Sequence, residues 1–138
     1  MGVSNYYSDA ILDSIFDSDA LPVPAVSFFV ALCLTQPALG DTGTQVQAKE
    51  VIYTNYARTA LSLTTGFGTS ADGTILNTEA VTFPIVGTTG SAAIGWWAIL
   101  DLLDDGNLYF WGTVTSTPTL SEDDVPILSI GDISITLT

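Results

Sequence analysis

The spacing of apolar residues near the start of the chain predicts a helix over residues 4–16. Apolar side chains recur there at three- and four-residue intervals, which places them on one face of a helix, with Asp9 and Asp13 on the opposite side. Ser4 or Asn5 can cap the first turn, because a side-chain oxygen accepts from a free backbone N–H there. The residues of the apolar face are Tyr7, Ile11, Leu12, Ile15 and Phe16.

The pattern that follows predicts an extended arm and then short strands. Two prolines restrict the residues before them and keep residues 20–25 extended. Residues 26–35 are apolar at both odd and even positions, which indicates a strand buried on both faces. Residues 36–44 have the composition of a loop, and 87–91 and 104–107 that of turns. The predicted strands are residues 26–35, 56–64, 75–86, 94–103, 108–115, 125–130 and 132–137.

Short strands separated by Gly, Asn, Asp and Pro turns are typical of all-β domains. We therefore predict a mainly β fold, an antiparallel, jelly-roll-like β-sandwich with one N-terminal α-helix, formed by residues 1–138 as a single domain. Neighbouring strand residues point to opposite faces, so one of Trp96 and Trp97 enters the core while the other faces outward or a second layer. The predicted core residues are Phe29, Ala31, Cys33, Leu61, Leu63, Ile99, Phe110 and Ile135.

Composition and charge exclude several classes of function. Of the 138 residues 47% are hydrophobic and 12% are charged, with fifteen acids against Lys49 and Arg58 and a net charge of −13. The chain lacks the clustered cations that nucleic-acid binding requires, and its charge disfavours an anionic membrane. The N-terminus has no basic region of a secretory signal, and the longest apolar run, residues 25–34, is too short to span a bilayer.

Candidate catalytic chemistry is sparse. The chain has no histidine and one cysteine, which excludes His-dependent nucleophiles, His-ligated metals and an intramolecular disulfide. We therefore expect no enzymatic activity, no catalytic residues, no cofactor and no metal. Asp101, Asp104 and Asp105 leave a Ca²⁺ loop open as an alternative to a plain hairpin turn. A glycosidase pair formed with the acids of residues 122–124 is the less favoured alternative.

The order of several segments resembles a family of small structural proteins of tailed bacteriophages, often labelled tail fibre or minor tail proteins. The segments are NYYSDAILDSIF, VALCLTQPALGDTGTQV, NYARTAL, ILNTEAVTFP, IGWWAILDLLDDGNLYFWGTVT and IGDISITL. Asn55 stands where family members commonly have glycine before Tyr-Ala-Arg, and the 45–55 loop looks longer than usual. The resemblance implies a virion component, made in the host cytoplasm, without catalytic residues or a cofactor.

Three functions are consistent with this resemblance and with the composition. A capsid cement or decoration protein is favoured, because a single acidic domain without a coiled-coil shaft suits the capsid exterior, where its partner would be the major capsid protein. The alternative is a tail fibre or minor tail protein with tail proteins as partners. The third is a carbohydrate-binding module that stacks sugars on an exposed tryptophan.

Low charge density and three tryptophans indicate that other subunits cover part of the surface. We expect self-association as a dimer or trimer, because closed symmetry is the common solution. Arg58 is expected in an ion pair, either within the fold or across an interface. The candidate interface residues are Tyr6, Tyr7, Pro22, Pro24, Lys49, Tyr53, Arg58 and Trp97.

Overall fold

A computed structural model describes residues 1–88, 92–115 and 119–137. In this part of the chain the backbone forms eleven strands and two helices. In chain order they are β1 (Gly2–Val3), α1 (Asn5–Phe16), β2 (Ser27–Cys33), α2 (Gly43–Gln47), β3 (Thr59–Ser62), β4 (Thr74–Leu76), β5 (Val81–Thr82), β6 (Ala92–Ala93), β7 (Trp96–Leu100), β8 (Leu108–Thr113), β9 (Thr119–Leu120), β10 (Ile127–Leu128) and β11 (Ser134–Thr136).

The strands form two layers around a shared core. One layer is a five-stranded antiparallel sheet in the order β1-β8-β7-β2-β3, and the other consists of the two-stranded antiparallel ladders β5–β10, β4–β11 and β6–β9. Val30 and Ile99 of the sheet share one cluster with Val81, Leu128 and Ile135 of the ladders. The predicted fold class, mainly β and antiparallel with an N-terminal helix, is confirmed.

The interior strand β2 is buried on both faces over its second half, as its apolar pattern predicts. Val30 and Leu32 contribute to the main core, whereas Ala31 and Cys33 belong to a smaller cluster. Val46 of α2 belongs to that smaller cluster as well. The short helix α2 therefore covers the sheet face that the ladders leave open, and it begins inside the predicted 36–44 loop.

The two adjacent tryptophans of β7 lie on opposite faces of the sheet. Trp97 is 2% exposed and belongs to the main core, and Trp96 is half-buried against the smaller cluster. The indole ring of Trp97 lies over Gly112 of β8, where any Cβ would collide with it. The prediction that one tryptophan enters the core is confirmed. Trp97, a candidate interface residue, therefore lies where the folded chain does not present it to a partner.

The predicted strand 75–86 is interrupted, and the buried side chain of Asn77 explains why. Its Nδ2 donates to the carbonyls of Glu79 at 2.8 Å and Ser129 at 2.9 Å. Its Oδ1 accepts from the backbone N–H groups of Gly131 and Ile133, each at 2.9 Å. Four bonds to the side chain of one residue hold a bend between β4 and β5 and tie it to the segment before β11.

Other sequence predictions are corrected in detail. The predicted strand 56–64 is reduced to Thr59–Ser62. Phe29 and Leu63 are half-buried, while the other predicted core residues are buried. Part of the predicted 87–91 turn lies outside the described residues. The shortened strand and Leu63 differ at a strand end, where alternation no longer reports which face is covered, whereas Phe29 lies within β2.

Candidate interface

Helix α1 is fastened to the sheet by its first turn. The Ser4 N–H donates to the Tyr109 carbonyl at 3.0 Å, and its hydroxyl donates to the Leu108 carbonyl. The same oxygen accepts from the Tyr7 N–H at 3.2 Å and so caps the helix. The ring of Tyr7 lies 4.8 Å from that of Tyr109 and 5.1 Å from that of Phe110. The predicted helix is confirmed, with Ser4 as its cap.

A register shift in the β7–β8 hairpin creates this anchor. The pairing slips between Ile99 and Leu100, so the adjacent residues Tyr109 and Phe110 both join the main core. Regular alternation would place them on opposite faces. Both aromatic rings therefore become available to Tyr7 of α1.

The second half of α1 and the arm after it expose several large apolar side chains. No residue of α1 is buried, and Phe16 at its end is 82% exposed. We call these side chains the apolar strip. It consists of Leu12, Ile15, Phe16, Leu21, Val23 and Val26, all exposed.

Acidic side chains accompany the apolar strip. Asp9, Asp13, Asp17 and Asp19 are all exposed, and the last turn of α1 contains no basic residue. Exposed acids therefore lie on the same helix as the first residues of the strip and in the segment directly after it. The spacing of apolar residues predicts the apolar face of α1, whereas the exposure of Leu12, Ile15 and Phe16 is visible only in the fold.

The arm is held against the sheet by Tyr109. The Tyr109 hydroxyl donates to the Pro22 carbonyl at 3.2 Å, and its ring meets that of Tyr6 edge-on at 5.6 Å. A groove of about 610 Å³ runs between Tyr6, the arm with Pro22 and Pro24, and Leu102. The fold thus brings three of the predicted interface residues, Tyr6, Tyr7 and Pro22, into contact with Tyr109, and Pro24 lines the same groove.

A second groove, of about 540 Å³, lies under α1. Ile11 of the helix and Leu21 of the arm line one side, and Phe28 and Phe110 of the sheet line the floor. Ile75 belongs to the opposite wall. This groove opens one end of the main core toward the apolar strip.

The other predicted interface residues lie elsewhere, and Arg58 is deeply buried. Its Nε donates to the Glu50 carboxylate at 2.8 Å, in an ion pair whose side chains are 1% and 5% exposed. Its other nitrogens donate to the carbonyls of Leu102 and Asp105, both at 2.9 Å, and of Gly43 at 3.2 Å. Arg58 therefore joins α2 to the β7–β8 turn inside the chain.

Gly43 of α2 permits this close approach. Its N–H donates to the Gly106 carbonyl at 2.9 Å, and any Cβ would collide with the Asp105 backbone. Thr44 donates its hydroxyl to the Asp105 carboxylate at 2.9 Å. The start of α2 and the hairpin turn thus form one joint around the Arg58 guanidinium.

Lys49 and Tyr53 also have partners within the chain. Lys49 pairs with Asp41, and its side chain is 27% exposed. Tyr53 is buried, its hydroxyl donates to the Pro84 carbonyl at 2.9 Å, and its ring meets that of Tyr56 at 5.3 Å. The chain's only lysine and only arginine are therefore both in intrachain ion pairs.

A groove of about 430 Å³ lies beside these aromatic rings, lined by Tyr53, Tyr56 and Glu50. The Tyr56 hydroxyl accepts from the Leu32 N–H at 3.1 Å, and burial, followed by the Glu50 charge, raises the pKa of Tyr56.

All three tryptophans are buried or half-buried, so the exposed indole that sugar stacking requires is not present.

The acids of the β7–β8 turn serve the turn itself. The Asp101 carboxylate accepts from the Asn107 N–H at 2.7 Å and from its side-chain amide at 2.8 Å. Asp105 and Gly106 have positive φ angles of 53° and 78°, which a tight hairpin turn requires.

Within the described ranges no cluster of three His, Cys, Asp or Glu side chains is placed to hold a metal ion. No helix in those ranges is long and apolar enough to cross a membrane.

The buried thiol of Cys33 makes the free energy of unfolding fall as the pH rises through the alkaline range. Burial, and then the charge of Glu50, raises the pKa of Cys33 from its ordinary 9.0 to about 12. The unfolded chain ionises first, so this contribution to stability is complete below pH 9.0 and is lost as the pH rises toward about 12.

Between about pH 8 and about pH 11 the free energy of unfolding of the wild type is expected to fall. We expect this fall to be about 2 kcal/mol smaller in Cys33→Ala, which has no thiol to ionise. Urea unfolding of both chains at the two pH values measures this difference. Equal losses in the two chains would contradict the assignment to Cys33.

Comparison with protein-family models identifies a family that covers nearly the whole chain. A protein-family model described as Podophage GP4 fiber I protein gp80 matches residues 2–136. No curated protein matches the chain. The matched region contains both layers of the fold, helix α1 and the apolar strip.

Proposed function

We propose, since the chain belongs to the Podophage GP4 fiber I protein gp80 family, that it is a non-enzymatic structural subunit of a bacteriophage tail fibre. The observation that carries the proposal is the family match over residues 2–136. This match favours the tail-fibre alternative over capsid cement, because the family is described by a fibre protein. Tail proteins are then the proposed partners in place of the major capsid protein.

The use of polar groups inside the fold supports a structural function. Arg58, Glu50 and Asn77 are buried, and each bonds to groups of the same chain. In the ranges that the structure describes, no buried side-chain nitrogen or oxygen lacks a hydrogen-bond partner. Such groups stabilise one conformation and are not poised for a substrate.

The apolar strip supports assembly into a larger structure. A surface of this kind on a chain that works alone would promote nonspecific association. Val23 and Val26 of the strip line the same groove as Tyr6 and Tyr109, so the candidate interface includes this groove. Self-association as a dimer or trimer stays a prediction.

Particles that lack the chain distinguish a fibre subunit from capsid cement. We expect a phage with an amber mutation in this gene to make DNA-filled heads of normal stability that adsorb poorly to host cells, because only the fibre is affected. Electron micrographs and adsorption rates measure this outcome. Heads that lose DNA on mild heating while adsorption stays normal would contradict the fibre proposal.

A further inference from the structure

We infer that the apolar strip binds a basic segment of another virion protein, in which apolar side chains are flanked by lysines or arginines. The inference rests on the proposed function and adds the chemistry of the partner and the surface that contacts it. Three observations carry it. The second half of α1 packs little against its own chain, acids lie at the end of this helix, and both cations of the chain are paired within the chain.

The second half of α1 lacks support from its own chain. A helix of 12 residues is marginal in isolation, and most helical stability in proteins comes from packing. Here the hydrogen bonds and ring contacts between α1 and the sheet come from Ser4, Tyr6 and Tyr7 at its start. Farther along, Ile11 lines the groove beneath the helix, and no residue of α1 is buried. Contact along Leu12 and Phe16 would supply the missing packing.

The acids of α1 are placed against the local electrostatics of the helix. Asp13 lies in its last turn and Asp17 is its C-cap, where the helix macrodipole is negative and favours cations. Both side chains are exposed, and the last turn has no basic residue to offset them. Cations brought by a partner would satisfy both the carboxylates and the dipole.

A second copy of the chain does not supply those cations. Lys49 is paired with Asp41 and Arg58 is buried with Glu50, so neither side chain is free in a second copy. With a net charge of −13 per chain, contact between two strips would bring acid against acid. Charge complementarity therefore selects a basic partner over a second copy.

Zero-length carbodiimide cross-linking of intact virions tests the inference, because it joins only carboxylates and amines in contact. We expect Asp9, Asp13, Asp17 or Asp19 to cross-link to lysines of a different virion protein, identified by mass spectrometry of the peptides. Cross-links from these acids only to Lys49 of a second copy would overturn it. If none of the four acids cross-links, charge reversal decides, because carbodiimide does not join carboxylates to arginine.

Charge reversal gives a second readout that does not depend on lysine chemistry. We expect the triple variant Asp9→Lys, Asp13→Lys, Asp17→Lys to enter particles at least about tenfold less than the wild type, because like charges then face each other. The matched control changes three exposed acids elsewhere, Glu79→Lys, Asp104→Lys and Glu122→Lys. Normal incorporation of the α1 variant, or equal losses in both variants, would overturn the inference.

Outcomes for the two proposals remain distinct. Absence of the chain from purified particles refutes the proposed function and, with it, this inference. A chain present in the fibre whose α1 acids contact no basic partner refutes the inference alone. Circular dichroism of both triple variants tests whether each is folded. If the charge-reversal variant unfolds, the triple variant Asp9→Asn, Asp13→Asn, Asp17→Asn replaces it. We expect this neutral variant to enter particles less than the wild type does.

Discussion

Replacement of Arg58 by alanine is expected to lower the free energy of unfolding by about 3–5 kcal/mol. The substitution leaves the Glu50 carboxylate, 5% exposed, without its ion-pair partner. It also removes the donor to the carbonyls of Gly43, Leu102 and Asp105. An unpaired buried charge and unmet carbonyls each destabilise the folded state. Urea unfolding followed by tryptophan fluorescence measures the loss.

The second ion pair of the chain is the matched control. Lys49 is 27% exposed and pairs with Asp41, so Lys49→Ala is expected to cost only about 0–1 kcal/mol. Arg58→Lys keeps the charge but loses the planar set of donors, and we expect it to fall between the two. Similar losses for Arg58→Ala and Lys49→Ala would contradict a structural role of the buried pair.

Replacement of Trp97 by alanine is expected to lower the free energy of unfolding by about 3–5 kcal/mol. The ring fills the main core, and Gly112 opposite it has no side chain that could fill the cavity. The loss belongs to the free chain and needs no partner. Thermal and urea unfolding of the purified protein measure it.

The neighbouring tryptophan serves as the control for this prediction. Trp96 is half-buried and packs against the smaller cluster, so Trp96→Ala is expected to cost roughly 1–2 kcal/mol. A Trp97→Ala chain that keeps its stability but fails to join particles would show that this side chain acts at an interface, and would contradict its place in the core.

Elements with a clear local period were predictable from the sequence. The spacing of apolar residues gave α1 within one residue, and the capping side chain of Ser4 is visible in the sequence. The β7–β8 hairpin was predictable because residues 104–107 combine acids, glycine and asparagine between two apolar runs. In each case the signal lies within a few residues of the element that it describes.

Features that depend on distant contacts were not predictable. Arg58 meets Leu102 and Asp105 across 44 and 47 residues, and no local pattern indicates that pairing. Asn77 divides a predicted strand through bonds to residues 52 to 56 positions away. Two-residue strands such as β5 and β10 are too short to show alternation.

The candidate interface was predictable only in part. The helix start and the arm predict contact residues at Tyr6, Tyr7, Pro22 and Pro24. In the fold the first three contact Tyr109, and Pro24 lines the same groove. The apolar strip itself escaped prediction, because an amphipathic pattern shows which side chains share a face but not whether the chain covers them. The sequence does show Asp13 and Asp17 at the end of the helix, where acids are unfavourable, and this indicates that a cationic partner would stabilise that end.

A cryo-electron-microscopy reconstruction of the whole virion tests the central claim most directly. We expect density for the five-stranded sheet, with α1 packed against β8, to lie in a tail fibre, and α1 to face a different chain. Density for this fold on the outer surface of the capsid shell, bound to the major capsid protein, would contradict it.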